Sequence, residues 1–403
     1  MNQDWWRRQQ NCIAQGALTN SKHPDALVMG AYPIIIEYGH GCHVYEPDPE
    51  DEGKHTKYLD YICGLGTNLL GYGNDKINQQ LLKILYGGFS HSLPTTQEIK
   101  TAEKLKEIFV FVDKWKFLKS GSEACNASLK FARAHTGRTL IISEGYHGIG
   151  DEFVSLTPPH LGVPVNGNIE KYTSLENITN EVAAVIIEPI IVDNSKERIE
   201  WLKQLRTRCD EVGSLLIFDE VISGFRYKKY GVANCYNILP DLIVIGKAMA
   251  NGLPLAAVGG KAHIMDNPKV FVSSTYAGER ASLRACEEVC NILQSKPEFN
   301  IENLWNAGVH FMKKFNDLNG PVTLKGYPTR GILAGSDVNI AIFMAEMAKV
   351  LILWHKSWFY NWDLIEHEDE TIEMARLIFA KIKNGLKLNY PMPKSTFSME
   401  QRK

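Results

Sequence analysis

From about residue 75 onward, short apolar runs alternate with stretches whose apolar positions recur every three or four residues. Ile99, Ala102, Leu105, Ile108 and Phe109 have the spacing of one helix face, so a helix is expected over 99–109. A short strand follows at 115–118, and Ser120-Gly121-Ser122-Glu123 opens a helix that runs to about Arg133. Strands are expected at 139–142 and 182–187, a helix at 201–212, and strands at 215–218, 242–245 and 256–259. Runs that are apolar throughout, alternating with amphipathic helices, predict an α/β fold with a mostly parallel sheet covered on both faces.

The flanking regions read differently. Near the N-terminus, 42–45 and 57–62 are expected to pair as strands around a polar surface loop at 46–53. After about residue 275 the pattern turns helical, and the last stretch carries weaker strands. The expected organisation is an N-terminal segment, 1–70, that contributes to a small domain, a large domain over 71–285, and a small α+β domain over 286–403. No internal repeat is visible.

Composition narrows the picture only modestly. A chain of 403 residues is too long for one ordinary core. A net charge of −2 gives no reason to expect nucleic acid or a membrane surface as partner, and no uncharged apolar run is long enough to span a bilayer. The N-terminal Met1-Asn2-Gln3-Asp4-Trp5-Trp6 lacks the apolar core of a signal peptide. Eight cysteines are scattered with no CxxC pair, which suggests reduced thiols in a cytoplasmic protein and no metal site.

The candidate chemistry lies at strand ends, where α/β folds open onto ligands. Lys247 follows the run 242–245, and Asp219 follows 215–218. A lysine at such a place can form a Schiff base, although a solvent-reaching lysine is the commoner arrangement. A buried aspartate can hold a pyridinium nitrogen protonated, or it can pair with Arg226 in the next loop. Ser120, Gly121 and Ser122 stand at a helix N-terminus that can bind phosphate, although Ser120 and Glu123 also fit an ordinary capping box. Tyr146 and His147 follow another strand; the tyrosine could stack on a flat cofactor or simply line a glycine-rich loop. Glu188 ends the strand at 182–187, either in a polar site or exposed.

Taken together, these blocks resemble the class III family of aminotransferases that depend on pyridoxal 5′-phosphate (PLP). Within it they are similar to the branch related to glutamate-1-semialdehyde 2,1-aminomutase. The matching text is Ser120-Gly121-Ser122-Glu123-Ala124, Tyr146-His147-Gly148, Glu188-Pro189, 219–226 and 246–252, with fainter similarity from about Tyr32 to about residue 385. The resemblance implies a fold-type I enzyme, normally a homodimer with sites at the subunit interface. It makes Lys247 the aldimine lysine and proton shuttle, and Asp219 the pyridinium partner. It places Val221 and Tyr146 on opposite faces of the cofactor ring, with His147 beside it. Gly121 and Ser122 resemble the phosphate-binding turn, and Glu188 an acid near the cofactor's phenolic oxygen. Thr275 resembles the threonine that reaches the phosphate held by the partner subunit.

Departures from the aminomutase pattern bear on substrate. Leu65 stands where aminomutases carry tryptophan, and Phe359 aligns with a glutamate that precedes the histidine resembling His367. The serine motif has no counterpart near 29–33, and the gating loop, 150–168, is shortened. Gly278-Glu279 resembles relatives often linked to amino-sugar or polysaccharide pathways. The function implied is transfer of an amino group from a small-molecule donor to a keto or aldehyde acceptor, with pyridoxamine 5′-phosphate as intermediate. The alternatives are intramolecular transfer, as in an aminomutase, and PLP binding without turnover. Neither Arg226 nor Arg330 can be assigned to a substrate carboxylate from sequence.

Overall fold

The structure is a computed structural model that describes residues 3–48, 50–51, 53–159, 161–165 and 167–396. It divides into two compact units, one built from the residues up to Asn74 and those from Asn303 onward, the other from Asp75–Glu302. The expected polar loop at 46–53 includes Pro49 and Glu52, and the shortened loop at 150–168 includes His160 and Asn166; these four lie outside the described residues.

In the first unit, strands β1 (Tyr38–His40), β2 (His43–Pro47) and β3 (His55–Asp60) form an antiparallel meander, so the two N-terminal strands do pair around the polar loop. The larger unit supplies β4 (Lys114–Leu118), β5 (Leu140–Glu144), β6 (Ile169–Lys171), β7 (Val182–Ile187), β8 (Leu215–Glu220), β9 (Leu242–Ile245) and β10 (Ala256–Gly260). The chain then returns to the first unit with β11 (Val322–Tyr327), β12 (Arg330–Gly335), β13 (Ile352–Leu353) and β14 (Ser357–Phe359).

The larger unit's seven strands lie in the order β4-β10-β9-β8-β7-β5-β6. All the pairings among β5 to β9 are parallel, while β10 runs antiparallel to both its neighbours. The mostly parallel sheet expected from the apolar runs is present, and β7, β8 and β9 are buried along their whole length. Helix Gly121–Thr136 covers one face. Ala124, Ala127, Phe131 and Ala132 share a core cluster with Ala184 and Ile186 of β7, Leu215 and Ile217 of β8, and Leu242 and Val244 of β9. Because side chains alternate along a strand, Asp219 shares that face with Leu215 and Ile217, and Glu220 faces the other way.

Of the boundaries that move, two bear on the site. Strand β8 extends through Asp219 and Glu220 instead of stopping before them, and the helix expected at 201–212 is Lys196–Val212. Its polar first turn has no apolar periodicity, but Ser195 caps it by accepting the Arg198 amide at 3.1 Å. Helix Arg280–Ser295 carries the buried Cys286 and Cys290 on the face that packs within the larger unit. Among the described residues no helix is long and apolar enough to cross a membrane.

The smaller unit has an aromatic core in which Tyr61 stacks on Trp354 with centroids 4.4 Å apart. Beside it, the buried Asp60 accepts the amides of Ile62 at 2.7 Å and Cys63 at 3.1 Å and the hydroxyl of Tyr72 at 2.6 Å. These bonds anchor a left-handed run in which Cys63, Gly64, Leu65 and Gly66 all have positive φ. Burial pushes the Asp60 carboxyl up to about 6, against the lowering by Tyr72 and the two amides. An acid raised in this way binds its proton more tightly in the folded chain. Its contribution therefore favours folding below the ordinary value of 3.8 and is lost as pH rises through about 6. Asp60→Asn should remove that dependence. Urea unfolding of both proteins from about pH 4 to 7 should show wild type losing stability relative to the variant across this window; a constant difference would place Asp60 at its ordinary value.

Candidate active site

Parallel pairing brings the carboxyl ends of β5, β7, β8 and β9 together. Glu144 lies opposite Ile187, Ile187 opposite Phe218, and Asp219 opposite Val244. Glu144, Glu188, Asp219 and Lys247 thus stand along one edge of the sheet, where an α/β crevice is expected.

Asp219 is the centre of this edge. Its Oδ2 receives the Nδ1 of His147 at 2.7 Å and the thiol of Cys125 at 3.4 Å, and its Oδ1 accepts the Val221 amide at 3.0 Å. None of these three donors is Arg226; His147, arriving from the loop after β5, stands there instead. His147 Nε2 in turn lies 3.1 Å from the Glu144 carbonyl oxygen, so both ring nitrogens face acceptors. Burial, then the Asp219 charge, pushes the Cys125 thiol well up, which keeps it a hydrogen-bond donor. Cys125, one helical turn into the helix that begins at Gly121, was not singled out by sequence.

Glu188 is buried and accepts the Tyr146 amide at 2.8 Å. A Cβ on Gly145, whose φ is +110°, would stand 3.0 Å from the Glu188 side chain, so the turn carrying Tyr146 and His147 closes directly on this carboxylate. Glu144 is held by a bidentate bond from Arg198 at 3.0 and 3.1 Å, and the guanidinium lies 4.0 Å over the Trp201 ring. No local pattern signals this support, because Arg198 sits in the unpatterned first turn of its helix.

Ser120 is the N-cap of helix Gly121–Thr136, with the reciprocal Glu123 bonds of a capping box. The capping reading therefore holds, and it leaves the first-turn amides of Gly121 and Ser122 with no preceding turn to bond. The Ser122 hydroxyl accepts the Ile149 amide at 3.1 Å, which keeps its own proton available. Val221 lies against the same turn. A Cβ on Gly121 would meet its methyls at 3.0 Å, and one on Gly246 would meet them at 3.3 Å. Lys247 follows with φ 45°, a left-handed conformation unusual for a lysine, and its charge acts on Cys125. Thr275 is not part of this cluster; it sits in an exposed turn and makes no hydrogen bond among the described residues.

One carboxylate next to the site has a structural task. Glu220, on the opposite face of β8, accepts the amides of Val232 at 2.8 Å and Ala233 at 2.9 Å and the Ser223 hydroxyl at 2.8 Å. Burial pushes it up, and these bonds oppose the shift.

A family model described as aminotransferase class-III matches residues 28–345. The chain belongs to the class-III aminotransferases. Members of this family use PLP. The chain is 35% identical over 282 residues to the glutamate-1-semialdehyde 2,1-aminomutase of Francisella philomiragia, spanning 63% of this chain and 64% of that relative's length. It is 31% identical over 334 residues to glutamate-1-semialdehyde 2,1-aminomutase 2 of Lachnoclostridium phytofermentans, covering 76% of each. Among solved structures it is similar to the PLP internal aldimine form of the FumI protein of Sphingopyxis sp. MTA144, with a TM-score of 0.84 at 23% identity over 95% of this chain and 96% of that one. An omega-transaminase from Sphaerobacter thermophilus gives 0.83 at 21% identity over 94% and 97%. These likenesses establish a fold-type I architecture.

The residues present fit such a cofactor. Asp219 has three of its roughly four acceptor positions filled, leaving one for a ring N–H. The helix N-terminus at Gly121 suits a phosphate dianion, and the glycines flanking Val221 keep that surface free of further side chains. Removing His147 would leave the buried Asp219 short of its nearest donor. His147→Ala is expected to lower the unfolding free energy of the apoprotein by about 3 kcal/mol. Urea denaturation followed by far-UV circular dichroism reads the loss, and an unchanged midpoint would mean that the bond is dispensable.

Proposed function

We infer that the protein is an aminotransferase that moves an amino group from a small-molecule donor to a keto or aldehyde acceptor. The observation that carries this reading is the Asp219–His147 pair at 2.7 Å, at the strand edge that also ends in Lys247. Bound PLP supplies an aldehyde that takes up the amino group and a ring that withdraws electrons from the donor's Cα. In this reading Asp219 holds a proton on the ring nitrogen, with His147 and Cys125 positioning its carboxylate. Lys247 secures the cofactor and moves the proton at Cα. Ser120 orders the turn in which the Gly121 and Ser122 amides and the Ser122 hydroxyl receive the phosphate. Val221 and Tyr146 bracket the ring, and Glu188 fixes the Tyr146 backbone.

Intramolecular transfer is the second reading, favoured by relatives that are named aminomutases. Against it stand Leu65 and Phe359, which are neighbours in the smaller unit. A Cβ on Gly66 would meet the Phe359 ring at 2.4 Å, and the Cys63 thiol faces the Phe359 carbonyl at 3.7 Å. Neither the indole nor the carboxylate of the aminomutase pattern has a counterpart at these two positions.

A second copy of the chain is the expected partner. Tyr86 (97% exposed), Leu93, Phe271 and Tyr276 are large exposed apolar groups. The Arg280 amide donates to the Phe89 carbonyl at 2.9 Å, which ties the segment around Phe89 to the loop that carries Thr275. This loop, with Tyr276 beside Thr275 and Phe271 just before it exposed, is where a partner would cover Thr275 and receive its hydroxyl. All eight cysteines are free thiols, in keeping with a reducing cytoplasm.

The purified protein should absorb at about 410–430 nm from its lysine-bound cofactor, and one amino donor alone should shift the band to about 330 nm. Lys247→Ala should lose both the band and the donor response. Turnover of a single amino-aldehyde without co-substrate would instead establish intramolecular transfer, and a band that no donor moves would overturn the aminotransferase reading. Light scattering should give a dimer for wild type and a monomer for the double variant Tyr86→Asp, Phe271→Asp. The monomer should also release its cofactor more readily, because Thr275 then has no partner site to complete.

A further inference from the structure

A second cluster of ligand-type side chains lies wholly in the smaller unit. β1 and β2 are joined by the two-residue turn Gly41-Cys42, with His40 paired to His43 and Gly41 at φ 58°. The turn is fixed from both sides. Gly41 and Tyr72 exchange backbone bonds of 2.9 and 2.7 Å, and the Asp60 amide donates to the Cys42 carbonyl at 2.9 Å. Against it packs the helical turn Trp362–His367, capped by Asn361 accepting the Leu364 amide at 3.1 Å.

The Cys42 sulfur lies 3.5 Å from His43 Nδ1, and the His43 and His367 rings meet edge to face with centroids 5.0 Å apart. One ligand atom from each of Cys42, His43 and His367 lies within 4.8 Å of the other two. Asp363 stands beside them: its Oδ2 would be 3.4 Å from a Cβ on Gly41, and its charge acts on Cys42 and His367. His367 Nδ1 faces the Glu370 carboxylate at 3.6 Å. If Glu370 closed onto that nitrogen it would hold the proton there and leave the other lone pair for a metal, the usual outer support of a zinc-bound histidine.

We propose that Cys42, His43 and His367 form a binding site for a borderline divalent metal ion, zinc by ligand preference, with a water in the fourth position. One thiolate and two imidazoles suit Zn²⁺ and exclude the hard, all-oxygen cations. A tetrahedral ion with Zn–S of about 2.3 Å and Zn–N of about 2.0–2.1 Å holds its ligand atoms some 3.3–3.7 Å apart. The cluster therefore needs to close by at most about 1 Å, within reach of a rotation of the half-buried His367 ring. Binding breaks the Cys42 S–H bond, forms Zn–S and releases the proton to solvent. The thiolate and the neighbouring Asp363 carboxylate then offset the ion's charge. The ion would pin the β1–β2 turn to the turn before helix Glu368–Lys383 and so act as a structural staple.

The test uses the untagged holoprotein after dialysis against chelator. Titration with Co²⁺ should produce intense ligand-field bands in the red, clear of cofactor absorption, that saturate at one ion per chain; one equivalent of Zn²⁺ should then abolish them. Cys42→Ser should lose the bands, and His367→Asn should weaken Zn²⁺ binding at least about tenfold. Should Cys42→Ser fail to fold, the more exposed His367→Asn decides alone. Absence of the bands, or binding unchanged in His367→Asn, overturns the proposal. Cofactor absorbance is read in the same sample and should persist in both variants, so a failure of the metal site is distinct from a failure of the enzymatic reading.

Discussion

Placing the Asp219 carboxylate at the end of a strand buried on both faces would cost several kcal/mol if its oxygens found no partners. Much of the surrounding geometry satisfies that requirement. The Val221 amide comes from the chain turning back just after β8. The Cys125 thiol comes from the helix that covers this face, and burial keeps it protonated. His147 comes from the loop after β5, and that loop can deliver it only because Gly145 takes a positive φ against Glu188. Glu188 in turn is fixed because it accepts the next amide in the loop. Three elements distant in sequence are thus tied to one another through a single carboxylate.

The Lys247 backbone is held in place by the chain on either side of it. Gly246 is extended with φ −171° and stands close to Val221, so the strand can pass a side chain that belongs to the site. The chain then turns abruptly into the left-handed region at Lys247 itself. Non-glycine residues are held there only when their surroundings over-determine the conformation. Here β9 fixes the backbone on the N-terminal side of the lysine, and the buried Ala248, Met249 and Ala250 fix it on the C-terminal side.

The parts of this architecture written in local pattern were legible in the sequence. The runs in β7 and β9 contain no polar residue, as strands buried on both faces require. The two site-bearing ends, Asp219 and Lys247, followed from where the runs of β8 and β9 stop. Strand direction was not legible, since β10 carries the same kind of apolar run as its neighbours yet lies antiparallel to them. Nor was the partner of Asp219, because Arg226 is near in sequence whereas His147 is near only after β5 and β8 are placed in one sheet. The start of helix Lys196–Val212 was hidden because Lys196, Glu197 and Arg198 lack apolar spacing and depend on the Ser195 cap. Thr275 came only from family resemblance, and in a single chain its turn faces solvent.

The adjacent pair Asp219-Glu220 divides its work by side-chain length as well as by face: the shorter acid meets an imidazole, a thiol and an amide, the longer one reaches two amides across a loop. That division rests on parity. The start of β8 is set by Gly213, which ends the preceding helix at φ 66°, and by the Ser214 hydroxyl, which donates to the Val182 carbonyl at 2.8 Å. Between that anchor and Asp219, gaining or losing one residue would turn the strand over and exchange the two acids, giving each a task of the wrong reach. A change of two would restore the faces but carry the carboxylate about 6.6 Å along the sheet, away from His147. The residue count from Ser214 to Asp219 is therefore as constrained as the identity of the aspartate.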